Sequence, residues 1–114
     1  IFRLAEIYLI RAECSLHLNM LADAKNDINI IRRRAGLSEI TVVDTLMNNI
    51  MRERQLELAY ELGNRWCDLK RTNQIDDVLT RAKPATWKPY MKVWPIPQTQ
   101  ILANPFLSQN EGYK

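Results

Sequence analysis

The sequence predicts an all-α fold: a helical hairpin, further helices packed on it, and an irregular, proline-rich C-terminal strap that closes the helical core. Three observations carry the prediction. Apolar residues recur at helical spacing from Ala5 to Leu79. Asn19, Gly36 and Gly63 fall where those patterns break, as helix-ending residues do. All five prolines lie between Pro84 and Pro105, so the last part of the chain cannot continue as regular helix.

The first helix is expected over about Phe2 to Leu18. It carries two apolar stripes, Ala5, Tyr8, Leu9, Ala12, Leu16 and Ile7, Ile10, Cys14, Leu18, while Arg3, Glu6, Glu13 and His17 share the remaining face. A helix apolar on two sides packs against two neighbours. "HLNML" is a short connection turning at Asn19. The second helix, about Leu21 to Ala35, follows Leu21, Ala24, Ile28, Ile31 and Ala35. Gly36 is placed for a left-handed cap, with Leu37 for the accompanying apolar contact. Arg32, Arg33 and Arg34 complement the dipole of its last turn, for about 0.3–1 kcal/mol each, a reading preferred to a phosphate site. This hairpin, residues 1–37, resembles a tetratricopeptide unit. Tyr8, Ala12, Asn19, Ala24 and Ile28 fit that repeat's pattern, and Ile31 replaces its last small residue. Only one copy is visible, and such a unit needs stacked neighbours to bury both faces.

Residues 41–80 are expected to form further helices. The third runs from about Val42 to Leu62, with Thr41 and Asp44 as a capping pair and Val43, Leu46, Met47 and Ile50 as its stripe. Continued, that face meets Arg54, Glu57, Leu58 and Glu61. Either the helix leaves the core there, or these charges are buried and paired. Gly63 ends it. Asn64 caps a short fourth helix, "RWCDLKRT", with Trp66 and Leu69 on one face, and "QIDDVL" adds a turn or two with Ile75, Val78 and Leu79 inward. Residues 82–114 are loop and strap. Within "VWPIPQTQILANPFLSQNEGYK", Val93, Trp94, Ile96, Phe106 and Leu107 are expected to anchor on the helices. "TQILANP" allows one turn, with Ile101 and Leu102 inward. Gln98, Gln109 and Asn110 can satisfy backbone groups that regular structure leaves open. The whole of 1–114 reads as a single domain fragment.

A chain of 114 residues can bury about two-thirds of its unfolded surface, enough for one modest core. Apolar residues at 46% and charged residues at 25% are ordinary for a globular protein. A net charge of +3, with acidic residues interrupting every basic run, argues against a nucleic-acid partner. No apolar run is long enough to span a bilayer. The opening, "IFRLAEIYLIRAE", already lies inside a helical pattern and has no starting Met, so a piece of a longer chain is expected. Its cut helical edge would expose apolar surface, and self-association is expected from that. Cys14 and Cys67 match no metal spacing, the only His is His17, and two buried free thiols are expected.

Two constellations stand out. Glu53, Glu57 and Glu61 are spaced one turn apart, but arginines are interleaved with them and no Glu-x-x-His accompanies them. A structural ion-pair network is expected across the turn at Gly63, with Arg54 or Arg65 bridging Glu57, Glu61 or Asp68. Its role would be to fix the angle between two helices. Trp87 and Tyr90, in "KPATWKPYMK", are the candidates for ligand contact, since a rigid loop can present them to a sugar ring or a partner. The competing reading folds one or both back as a lid on the helices. There is no Ser–His–Asp setting, no glycine-rich phosphate loop and no metal spacing, so no enzyme, metal or cofactor is expected.

Three segments, in order, resemble the C-terminal part of the SusD/RagB family of nutrient-binding outer-membrane lipoproteins: "RLAEIYLIRAE" with "AKNDINIIRRRAGL", then "IMRERQLELAYELGNRWCDLKRTN", then "VWPIPQTQILANPFLSQNEGY". Departures are small. Leu62 precedes Gly63 where the family often has Glu, Cys67 stands where Phe is usual, and Asn73 replaces a frequent Gly. The resemblance implies an α-helical scaffold in a longer, surface-exposed parent, held at the outer membrane only through an N-terminal lipid anchor absent here. It implies a TonB-dependent, SusC-like transporter as partner and a glycan or other oligomeric nutrient as ligand, with no catalysis. It transfers no ligand residue to this chain. The alternative function is a tetratricopeptide-type protein–protein interaction module.

Overall fold

The computed structural model describes residues 3–61 and 63–114. Among them are six α-helices, one 3-10 turn and no strand: α1 (Leu4–His17), α2 (Leu21–Arg34), α3 (Leu46–Glu57), α4 (Asn64–Arg71), α5 (Ile75–Ala82), the 3-10 turn at Pro89–Lys92, and α6 (Gln98–Ala103). The chain divides into two compact units, with the division between Arg65 and Trp66.

The first unit is built on the α1–α2 hairpin with α3 against it. Ala12, Ala24, Ile28, Leu46 and Ile50 form one buried cluster with Leu16 and Ile40 on its flank; Ala5, Leu9 and Ile31 form a second beside Tyr8. The small residues at 12 and 24 let the helices approach, and the large ones fill the space between. Each fully buried Leu or Ile contributes roughly 1.5–3 kcal/mol. The hairpin turns as the sequence suggests. Asn19 takes a left-handed conformation (φ 60°), and the amides of Asn19 and Met20 reach back to the carbonyls of Leu16 and Ser15. Gly36 ends α2 in the same way (φ 70°), with bonds from Gly36 and Leu37 to Arg33 and Arg32. The Leu37 side chain itself stays exposed.

Only one of the two stripes on α1 is covered. Ile7, Ile10, Cys14 and Leu18 all remain exposed. This corrects the expectation of buried thiols: Cys14 lies on the uncovered stripe, and Cys67 is exposed on α4, both as free cysteines. The third helix is shorter than its apolar pattern. Val42 and Val43 precede it, Thr45 is its N-cap, and no side chain caps it, so the Thr41–Asp44 pair does not act as a capping box. It ends at Glu57, and turns follow through Tyr60 (φ 63°). Its expected end at Leu62 and the first helix's expected start at Phe2 lie outside the described residues. Glu53 and Arg54 are buried on α3, and Glu53 pairs with Arg32 of α2. On the continued face itself, Arg54 and Leu58 are buried and Glu57 is paired with Arg3 and Arg34.

In the second unit Leu69 and Ile75 are buried, while Trp66, Val78 and Leu79 are half-buried. Asn73 takes the left-handed conformation (φ 56°) and ends α4 with bonds from Asn73 and Gln74 to Lys70 and Leu69. Asparagine tolerates that conformation better than most residues, which is why it can stand where glycine is common. The C-terminal segment is irregular, with α6 stopped ahead of Pro105 by an extended Asn104. Its large side chains do not turn inward as expected. Trp94, Leu102 and Phe106 are 80%, 77% and 96% exposed, Val93 and Leu107 are exposed as well, and only Ile96 and Ile101 are half-buried. The segment is held by amides instead. Gln109 accepts from the Ile96 N–H (2.8 Å) and donates to the Ile96 carbonyl (2.9 Å), Asn110 donates to the Trp94 carbonyl (2.7 Å), and the Tyr113 hydroxyl donates to the Val93 carbonyl (3.0 Å).

Candidate functional site

The loop carrying Trp87 and Tyr90 leaves α5 through a turn in which Thr86 and Trp87 donate to the Lys83 carbonyl. Pro89 then opens the 3-10 turn at its first position, where a missing N–H costs nothing. Trp87 and Tyr90 have different neighbours.

Trp87 is tied into its unit. Its indole N–H donates to Asp76 Oδ1 of α5 (3.2 Å), and its ring meets Trp66 edge-on at 6.1 Å and 77°. The second oxygen of Asp76 accepts from Lys92 Nζ at 2.6 Å. One carboxylate therefore gathers both ends of the loop. The Lys92 ammonium holds the Asp76 carboxyl below its ordinary range; desolvation opposes this, and the Trp87 N–H assists it.

Tyr90 packs edge-on against Tyr113 (4.9 Å, 83°) and against Gly112. It borders an open groove of about 670 Å³ lined by Pro89, Tyr90, Lys92, Val93, Asn110, Glu111 and Gly112. The groove offers an aromatic ring, one cation, one carboxylate and an amide. Such a set suits stacking and hydrogen bonding to a polar, largely neutral ligand. Among the described residues no group of three or more His, Cys, Asp or Glu could hold a metal ion.

The charged residues singled out on α3 and α4 are arranged differently from one another. Glu57 receives Arg3 Nη1 (3.0 Å) and also pairs with Arg34, while Arg3 Nε reaches Glu61 (3.0 Å) and Arg3 Nη2 the Glu57 carbonyl (2.7 Å). The end of α3 is thus tied to the start of α1 and the end of α2. Burial pushes the Glu57 carboxyl up, but Arg34 and Arg3 together hold it below its ordinary value. Arg54 is buried on α3 and Arg65 is half-buried at the start of α4. Asp68, buried on α4, pairs with Arg71 one turn on (2.8 Å). Arg3 and Arg34 were not foreseen as partners. They lie far from Glu57 in sequence, and no local spacing announces the contact. Asp76, Gly112 and Tyr113 were missed around the loop for the same reason.

Residues 1–113 match the SusD family. Two SusD-like proteins of Formosa agariphila are 35% and 32% identical to the chain over 100% and 99% of its length, each covered to 24% of its own. The starch-binding protein SusD of Bacteroides thetaiotaomicron is 35% identical over 100% of the chain and 21% of that relative. The chain therefore spans less than a quarter of the length of these relatives. No solved structure matches it.

Proposed function

Because the chain belongs to the SusD family, we propose that it is part of a non-enzymatic binding protein that captures a glycan nutrient at the outer membrane. The observation that carries this reading is the match across residues 1–113. The parent protein acts at the cell surface as the lipid-anchored partner of a TonB-dependent, SusC-like transporter. Among the described residues, no helix is long and apolar enough to cross a membrane.

Within that protein, residues 1–114 serve mainly as helical scaffold. The ion pairs of Arg3 and Arg34 with Glu57 support this, because they tie three helices together. Trp87 serves the fold of its unit, and Tyr90 offers the groove beside Gly112 as a secondary contact for ligand. One relative is named for starch binding, so starch-derived oligosaccharides are the first probes to use. The test is calorimetric titration of maltooligosaccharides into the isolated chain. The scaffold reading expects no saturable heat at millimolar ligand. Tight binding would overturn it, and loss of that binding in Tyr90→Ala would move the ligand site to this groove.

A further inference from the structure

We propose that the loop leaving α5 recognises an acidic glycan: Lys83 and Lys88, with Arg81 beside them, take its carboxylate or sulfate groups, while the adjoining Tyr90 groove takes an uncharged part of the same sugar chain. The proposal rests on the glycan-capture reading above and narrows it to a charge class. The charge of the protein is unevenly divided. Residues 1–65 carry nine Lys or Arg and nine Asp or Glu, whereas residues 66–114 carry seven and four. The whole net charge of +3 therefore lies on the second unit. Within that unit the asymmetry sharpens. Residues 78–110 include no Asp or Glu, and the four cations of that stretch, Arg81, Lys83, Lys88 and Lys92, all fall between 81 and 92. The balance of charge that holds along the rest of the chain fails here.

The carboxylates of the unit leave two of these cations open. Asp68 pairs with Arg71, and Asp76 with Lys92. Asp77 lies one turn before Arg81, whose Nε donates to the Asp77 carbonyl oxygen (3.0 Å). Lys83 and Lys88 are exposed and form no ion pair among the described residues. The local fold brings them together. The Lys83 carbonyl accepts from the N–H groups of Thr86 (3.2 Å) and Trp87 (2.9 Å), which closes a tight turn, and Lys88 is the next residue. Pro84 and Pro89 restrict the backbone on either side, and Trp87 ties the turn to Asp76 and Trp66. Lys88 directly precedes Pro89, which lines the groove together with Tyr90. The one unpaired carboxylate of the groove, Glu111, belongs to its C-terminal lining beside Gly112. The acid groups of a glycan are thus drawn to the loop, and the groove receives a ring without charge, stacked on Tyr90. Lysine suits this task, since its ammonium is a point charge on a flexible stem and accepts anions without a fixed geometry. An uncharged glycan gains nothing from the two ammonium groups, and an acidic peptide gains nothing from the groove.

The experiment is titration of tetragalacturonate into the 114-residue chain at low ionic strength, followed by amide NMR. Maltotetraose serves as the uncharged sugar of the same length, and tetraglutamate as an acidic chain that is not a sugar. Saturable shifts are expected around Lys83, Lys88, Tyr90 and Gly112 with tetragalacturonate alone. Lys83→Gln combined with Lys88→Gln is expected to weaken binding about tenfold, and Glu111→Gln to tighten it about twofold. All three side chains are exposed, so these variants keep the fold. Shifts with tetragalacturonate that never saturate, or unchanged affinity in the double lysine variant, would overturn the proposal. Equal binding of maltotetraose would overturn the acidic class and leave the glycan reading standing. Equal binding of tetraglutamate would overturn the glycan as the ligand of this loop and leave charge alone.

Discussion

Gly112 has a φ of +87°, and a Cβ built there would stand 2.3 Å from Cγ of Tyr90. Two costs therefore add at this position: the left-handed backbone, about 1–2 kcal/mol for a residue with a Cβ, and the displacement of a ring that packs on Tyr113. Gly36 has nearly the same φ but open space around it, so only the first cost applies there. Gly112→Ala is expected to destabilise the second unit by about 2 kcal/mol or more, and Gly36→Ala the first by about 1 kcal/mol. Denaturant unfolding of the two variants side by side checks this, and equal losses would mean the Tyr90 contact carries nothing. Asp76 gives a second test at this scale. Its carboxyl is held below the ordinary value of 3.8, so the folded state takes up a proton there less readily than the unfolded chain. The contribution of the Asp76–Lys92 pair is complete above that value and is lost as pH falls through the depressed one. Lys92→Met is therefore expected to lower Tm near neutral pH, with the gap to wild type closing as pH falls through the depressed value. A gap that persists in acid would show that Lys92 acts through packing rather than charge.

At the scale of elements, α1 and α2 were legible because stripe, spacing and terminating residue all agree: Ala12, Ala24 and Ile28 are buried, and Asn19 and Gly36 turn the chain. The third helix was legible only in its middle. β-branched Val42 and Val43 continue the apolar pattern without joining the helix, and Glu57 pairs with Arg3 at the cap of α1 and Arg34 of α2. The C-terminal segment shows what periodicity cannot say. Its prolines exclude helix, but they do not fix which side of an extended chain faces inward, and Trp94 and Phe106 face out. Its amides were the better guide. The Gln109 side chain pairs with both backbone groups of Ile96, as a neighbouring strand would, and also accepts from Asn110 N–H (2.9 Å). Gln109→Ala removes all three bonds, whereas Gln109→Glu keeps the acceptor and places a charge beside the Ile96 carbonyl. Both are expected to expose the Ile96 amide, with about tenfold faster hydrogen exchange or more, corresponding to a net 1–2 kcal/mol. Unchanged exchange at Ile96 would show that the pairing is not what orders the segment. The candidate site was legible only as two aromatics on a loop. That one serves the fold and the other borders a groove follows from Asp76 and Gly112, which no short-range pattern links to them.

For the molecule as a whole, each unit presents apolar surface to solvent. In the first it is Ile7, Ile10 and Leu18 along α1; in the second it is Trp94, Leu102 and Phe106. Large exposed apolar surfaces are uncommon on monomers and mark surfaces that other protein covers. The chain spans less than a quarter of its relatives' length, which accords with such faces being covered in a longer protein. In isolation, then, the chain is expected to self-associate, and the two faces make separable contributions. Ile10→Lys places a charge in the middle of the α1 stripe, and Trp94→Ser with Phe106→Ser removes the two largest rings of the other face. Because the driving force is apolar burial, association should persist or strengthen in 1 M salt, where the Debye length falls to about 3 Å. Contacts made through exposed ion pairs, such as that of Arg33 with Glu39, would weaken under the same conditions. Sedimentation velocity over a hundredfold concentration range distinguishes these cases. A single monomeric boundary throughout would sink the prediction. Association abolished by Ile10→Lys alone would assign it to the uncovered stripe of α1.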